Sequence, residues 1–112
     1  MALVVKLLNS GVTNINAATV LYSASSSGLG AIINNIRVVN TGTTVAATVN
    51  AFVRLGAGPQ IRILDMNKSV AFSPTPGSAL VIKPELTLGP TDTIEVTTSA
   101  AMDFVVSGVE KQ

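Results

Sequence analysis

The sequence predicts an all-β domain: an antiparallel β-sandwich of about eight strands, of the jelly-roll or immunoglobulin-like kind. Three observations predict it. First, residues 43–55, "TTVAATVNAFVRL", alternate with a period of two. Val45, Ala47, Val49, Ala51, Val53 and Leu55 form one set, and Thr44, Ala46, Thr48, Asn50, Phe52 and Arg54 the other, which is the pattern of a strand with one buried face. Second, nine Gly and five Pro punctuate the 112 residues about every ten positions, spacing that suits short strands and tight turns. Third, no stretch carries apolar residues at i, i+3, i+4 and i+7 with charged positions between them, so no amphipathic helix is expected. A small closed barrel is the competing architecture, and the lack of a repeat argues against a solenoid.

The elements follow in order. Residues 3–8 read as a first strand, and Ala18–Ser23, "ATVLYS", as a second. Residues 23–30, "SASSSGLG", read as a loop. Ala31–Val39 is a strand with Ile32, Ile36 and Val38 on one face and Asn35 and Arg37 on the other. "NTG" at 40–42 predicts a hairpin loop into the strand of 43–55, and "GAGP" at 56–59 turns the chain into a strand over 60–66. "SPTPG" at 73–77 breaks pairing, because proline has no N–H to donate to a ladder. The strand over 80–88 is interrupted by Pro84, which places it at an edge or a bulge. "GPTD" at 89–92 is a turn, and Thr93–Thr98 alternates, with Ile94 and Val96 inward and Thr93, Glu95 and Thr97 outward. In the closing strand, 102–109, Met102, Phe104 and Val106 share one face and Val105 and Val109 the other. A strand apolar on both sides is either central or at an interface.

A chain of this length forms one domain, 1–112, and buries roughly 65% of its unfolded surface. It has no Cys, so disulfides and thiolate metal sites are excluded. Charged residues are 12%, against about 25% in ordinary soluble domains, and the net charge is +1. Mean hydropathy is +0.54. Little charge keeps copies apart, and surplus apolar surface calls for a partner, so the chain reads as a subunit that associates with itself. No apolar run approaches the about 20 residues of a membrane helix. The opening "MALVVKLL" is too short for a secretory leader and holds Lys6 inside its apolar run, so no membrane partner is expected.

The residues for chemistry are sparse. There is no His, which removes the commonest general base near neutral pH and, with the absent Cys, the imidazole and thiolate metal sites. The acids are Asp65, Glu85, Asp92, Glu95, Asp103 and Glu110. Asp92 and Glu95, three apart in an extended segment, point to opposite faces, and no loop carries the several acids a calcium site needs. A hydrolase would have to rest on Glu85, Glu95 or Asp103. "GLGAIIN" at 28–34 lacks the third glycine of a dinucleotide loop. The chain is therefore read as a non-enzyme without catalytic residues, metal or cofactor. Nucleic acid is not expected either, since the basic residues are scattered and balanced and there is no Trp. Arg37, Arg54 and Arg62, each on the solvent side of its strand, are placed either as a row for an acidic partner or as solubilising charge. Sparse aromatics, 4% of the chain, argue against a flat sugar platform, and "NKS" at 67–69 is a short glycosylation pattern with no secretion signal beside it.

Phe52 is the most informative residue, an aromatic among threonines and an asparagine on the outer side of its strand. Either another part of the chain covers it or a second subunit does. With its neighbours Asn50 and Arg54, and with Phe104 of the closing strand, it makes the candidate subunit interface.

Three stretches carry a resemblance: "GVTNINAATVLYSASSSGLGAI" at 11–32, "NIRVVNTGTTVAATVNAFV" at 35–53 and "LTLGPTDTIEVTTSAAMDFVVSGVE" at 86–110. Together they resemble the small β-sandwich structural proteins of tailed bacteriophage particles, decoration or tail-associated. In those an Ile/Val-rich strand leads through an Asn-Thr turn to an "AATV" strand, and a Gly-Asp turn leads to a closing "SGVE". Here the Gly-Asp turn is lengthened to "GPTD". The resemblance implies a virion component, assembled in the host bacterial cytoplasm, that contacts itself and other capsid or tail proteins of the particle; point symmetry about a three-fold, giving a trimer, would suit decoration of a capsid lattice. A capsid decoration role and a neck or tail-fibre attachment role are both implied. The alternative is a module that recognises host-surface glycan or protein through the loops at 23–28 and 73–77.

Overall fold

The computed structural model describes residues 6–24 and 30–110. They form ten strands and no helix: β1 Lys6–Val12, β2 Ala18–Ser23, β3 Ala31–Val39, β4 Ala47–Arg54, β5 Gln60–Arg62, β6 Lys68–Val70, β7 Ala79–Ile82, β8 Leu86–Leu88, β9 Thr93–Thr98 and β10 Asp103–Glu110. One sheet, the first, runs β1-β10-β3-β7 with β8 also on β3. The second runs β2-β9-β4-β5 with β6 also on β4. All strand pairs are antiparallel, and their pairing is nested. The innermost pair is β4 with β5 and β6. Around it come β3 with β7 and β8, then β2 with β9, then β1 with β10. The chain is thus one long hairpin, its tip at 55–59, rolled so that successive layers of paired strands alternate between the two sheets. Added β10–β3 and β9–β4 pairing closes the roll. This is the jelly-roll form of the sandwich rather than the immunoglobulin form.

The core lies between the sheets. In β4 burial alternates without a break, with Ala47, Val49, Ala51 and Val53 inward. The alternation in the sequence is wider than the strand: Val45 is 70% exposed and Leu55 56% exposed, because both lie in turns beyond its ends. Ile94 and Val96 of β9 and Met102, Phe104 and Val106 at the chain's end meet the β4 residues and Leu21, Ile33, Ile36 and Val38. The inward residue near the start of β3 is Ile33, not Ile32. Opposite β10, Asn35 pairs with Ser107 and Ile33 with Gly108, so Asn34 is an extra residue, and this bulge reverses the side on which Ile33 and Ala31 emerge. At Gly108 a Cβ would run into the carbonyl oxygen of Ile32, so only glycine lets the two backbones approach there. Gly11, opposite Phe104 across the β1–β10 pair, leaves room for the Phe104 ring.

The turn regions correct several expectations. "NTG" does not join a hairpin: β3 and β4 lie in different sheets, and residues 40–46 cross between them. Asn40 anchors the crossing. It is 1% exposed, its amide donates to the carbonyls of Val45 and Val70, and its Oδ1 accepts from the Gly42 N–H. "GPTD" is the expected turn, with Asp92 N donating to the Gly89 carbonyl at 3.1 Å, and it carries the chain from the β8 sheet to the β9 sheet; Asp92 Oδ2 accepts from Gly89 N and Oδ1 from Gly56 N, so one carboxylate ties two turns. The strand expected over 60–66 stops at Arg62, and a short β6 resumes pairing with β4 at Lys68–Val70. Pro84 divides β7 from β8, followed by Glu85 at φ 51. Among the described residues only "GAGP" closes a hairpin between sequence neighbours, with Gly56 at φ 60.

Candidate interaction surface

On the outer face of the second sheet, residues directly opposite across strands share a side and form rows. Val20, Glu95, Phe52 and Arg62 make one row across β2, β9, β4 and β5; Thr93, Arg54 and Gln60 make the next; Thr97 and Asn50 lie on the other flank. Their side chains bond to one another. Arg54 donates through Nε to Glu95 Oε2 at 3.1 Å and through Nη2 to Oε1 at 3.3 Å, a two-pronged grip, while its Nη1 donates to the Gly58 carbonyl at 3.0 Å. Gln60 donates to Glu95 Oε1 at 2.7 Å. Arg62 donates to Asn50 Oδ1 at 2.6 Å and lays its guanidinium over the Phe52 ring, 4.9 Å from the centroid. Asn50 and Asn67 hold each other through Asn50 Nδ2 to Asn67 Oδ1 and Asn67 N to Asn50 Oδ1.

Glu95 is 6% exposed although it lies on an outer face. The hydrogen bonds from Arg54 and then Gln60 hold its carboxyl below the usual carboxylate range, against the opposing push of burial. A second ionic cluster bridges the sheets. Tyr22 of β2 donates its hydroxyl to Glu110 Oε2 of β10 at 2.9 Å, and Lys6 of β1 lies 3.2 Å from Oε1. Burial, and then the Glu110 bond and charge, push the Tyr22 hydroxyl up to about 12, while Tyr22 and Lys6 lower the Glu110 carboxyl.

Of the candidate interface residues, Asn50, Phe52 and Arg54 stand side by side on this face, and all three are partly buried. What covers Phe52 is Arg62 of the same chain, two residues past the hairpin pair Arg54–Gln60. The sequence held that signal: a turn over 55–59 pairs 54 with 60, and therefore 52 with 62. Phe104 is not on a surface. It is 5% exposed in the core, because even-numbered β10 residues face the opposite sheet. Of the two readings of the arginines, a single row does not form, since Arg37 lies on the first sheet and Arg54 and Arg62 on the second. Among the described residues no three acids gather as a metal site. Glu95 and Asp103 belong to different sheets, and Glu85 sits in the break between β7 and β8. Most of the 23–28 loop falls outside the described residues.

The outer face of the first sheet differs. Val12, Asp103, Val39 and Ala79 form one row across β1, β10, β3 and β7, and Ser10, Val105, Arg37 and Val81 form the next. Val12 is 60%, Val81 40% and Val105 39% exposed, with Leu7 of β1 at 59% opposite Ser107. Arg37 and Asp103 are exposed, and neither forms an ion pair among the described residues.

The fold and these faces define a jelly-roll sandwich with one internally bonded outer face and one valine-rich outer face whose Arg37 and Asp103 form no ion pair among the described residues. No family model, curated protein or solved structure matches the chain.

Proposed function

We propose that this chain is a non-enzymatic structural component of a tailed-bacteriophage particle. In this reading it associates with itself and docks on the particle exterior, as capsid decoration or as a neck or tail-fibre attachment protein. One observation carries the reading: large apolar side chains on two edges and one face, among them Leu7, Val12, Val20, Val81 and Val105, stand 39% or more exposed on a chain of net charge +1. Such a surface is suited to permanent burial against copies and neighbours, at about 25 cal/mol for each Å² of apolar area removed from water. Many weak contacts on one particle add up through multivalency. The jelly roll is a form shared by viral capsid and lectin domains, which agrees with the reading without establishing it. Within the described residues the resembling stretches fall on strands and turns of this roll, consistent with a structural rather than a catalytic role.

The test is labelling of intact particles from the host that carries the gene, with an antibody against the chain, alongside light scattering of the purified chain. Label on the particles and an associated mass support the proposal. Bare particles overturn it. A glycan-array screen of the purified chain decides for the host-recognition alternative if it binds.

A further inference from the structure

We infer that the outer face of β1-β10-β3-β7 docks on the same face of a second copy about a two-fold axis, with Arg37 of each copy on Asp103 of the other. The inference deepens the structural-protein reading and rests on its claim of self-association. Four residues make the centre. Asp103 is opposite Val39, and Val105 is opposite Arg37, so the charges occupy one diagonal of a quadrilateral and the valines the other. Adjacent strands are about 4.8 Å apart and alternate residues about 6.6 Å apart, so the diagonals are of nearly equal length. A two-fold in the plane between the copies, bisecting the Arg37–Asp103 diagonal, exchanges the two positions. Each arginine then lies over the partner's aspartate, and both pairs form at once. The same axis passes close to Val39 and Val105, which meet their own counterparts. Val12, Ala79 and Val81 extend the apolar area around them.

Charge complementarity with itself singles out a second copy as the occupant. The patch carries one cation and one anion, so an acidic or a basic partner would satisfy one and oppose the other. A face-to-face contact that uses one patch on both molecules is isologous, which gives pairs rather than the three-fold that would suit a capsid lattice. Four strands and the eight residues of β10 make a footprint of at most roughly 500 Å² per copy, about 1,000 Å² for the pair, which is the size of a weak, transient contact, so pairing is concentration-dependent. The second sheet offers no such pairing chemistry, since its arginines are already held by Glu95, Gly58 and Asn50.

The experiment is a charge-reversal series read by sedimentation equilibrium over a wide concentration range. Arg37→Asp and Asp103→Arg, each placing like charges against each other across the axis, are expected to weaken pairing about tenfold or more. The double variant Arg37→Asp, Asp103→Arg is expected to restore it. Circular dichroism of each variant separates loss of pairing from loss of fold, and a variant that misfolds is replaced by Arg37→Gln or Asp103→Asn, which is expected to weaken pairing less. Pairing that ignores both single reversals overturns the surface while leaving the particle reading intact. A wild-type chain that stays single throughout overturns the surface too, and particle labelling then decides the structural-protein reading separately.

Discussion

The two outer faces of this sandwich are built by the same rule of alternation and yet end in opposite states. On the second sheet, each long polar side chain of the central rows finds a partner in its own chain: Arg54 on Glu95, Gln60 on Glu95, Arg62 on Phe52 and Asn50. On the first, valines surround an arginine and an aspartate that form no ion pair among the described residues. A polar-looking face can thus be a closed surface, and a valine-rich one the open surface. What separates them is whether side chains on neighbouring strands are placed to satisfy one another, and that depends on register.

The largest test of this contrast concerns the two phenylalanines. Phe104 fills space between the sheets, so Phe104→Ala should cost about 3–5 kcal/mol by lost transfer energy and a cavity. Phe52→Ala removes a half-buried ring under one guanidinium and should cost about 1 kcal/mol. Urea unfolding midpoints compare them directly. Equal losses would mean that Phe52 is as enclosed as Phe104, and the distinction between core and covered face would fail.

Glu95 comes next. Glu95→Gln keeps the shape but removes the charge that two-pronged Arg54 grips, at a cost of about 2 kcal/mol. The effect depends on pH. The folded-state pKa lies below the unfolded one, so this contribution is fully present above the unfolded value, near 4.5, and is lost as pH falls through the folded value. Glu110 adds a loss of the same sign. The difference in stability between wild type and Glu95→Gln should therefore shrink on acidification from pH 6 to pH 3. A constant difference would show that the carboxylate's charge is not what matters there.

Much of the roll was legible in the sequence. Ala18–Ser23, Ala31–Val39 and Thr93–Thr98 begin and end where β-branched runs meet turn residues. What escaped was whatever depends on distant pairing. "NTG" has hairpin composition but lies in a crossing between sheets, and nothing local distinguishes the two uses. The Asn34 bulge moved Ile33 rather than Ile32 inward, although Ala31, Ile33, Ile36 and Val38 already show the phase change between 33 and 36. β6 is three residues long and forms only because β4 offers Ala47–Val49 as partners. Of the candidate surface, Asn50, Phe52 and Arg54 were placed on one face by alternation alone, but their satisfaction by Arg62, Glu95 and Asn67 is a property of the assembled sheet.

A smaller effect sharpens the contrast from the closed side. Phe52→Glu sets a carboxylate directly opposite Glu95 in the β4–β9 ladder and removes the ring beneath Arg62. Like charges so placed repel, while Arg62 offsets part of the repulsion, for a net loss of about 1–2 kcal/mol. Because this face is already bonded within the chain, the self-association measured by light scattering should be unchanged. A shift toward single copies with the fold intact would move the interface to the second sheet.

The smallest expected change in stability comes from the open side, and it carries the largest consequence for association. Val81→Thr with Val105→Thr replaces one methyl by a hydroxyl at each of two positions that water already reaches. The β-branched shape is kept, so strand geometry is kept, and unfolding free energy should change by no more than about 0.5 kcal/mol. In a pair the same substitutions remove four methyl groups from the contact and leave four hydroxyls to desolvate. Even if only half of each group is buried, the loss exceeds the 1.4 kcal/mol that corresponds to a tenfold weaker dissociation constant. Sedimentation equilibrium should then show an unchanged fold with at least about tenfold weaker pairing. A double variant that pairs as tightly as wild type would mean that these valines stay in water, and the difference between the two faces would have no bearing on how copies meet.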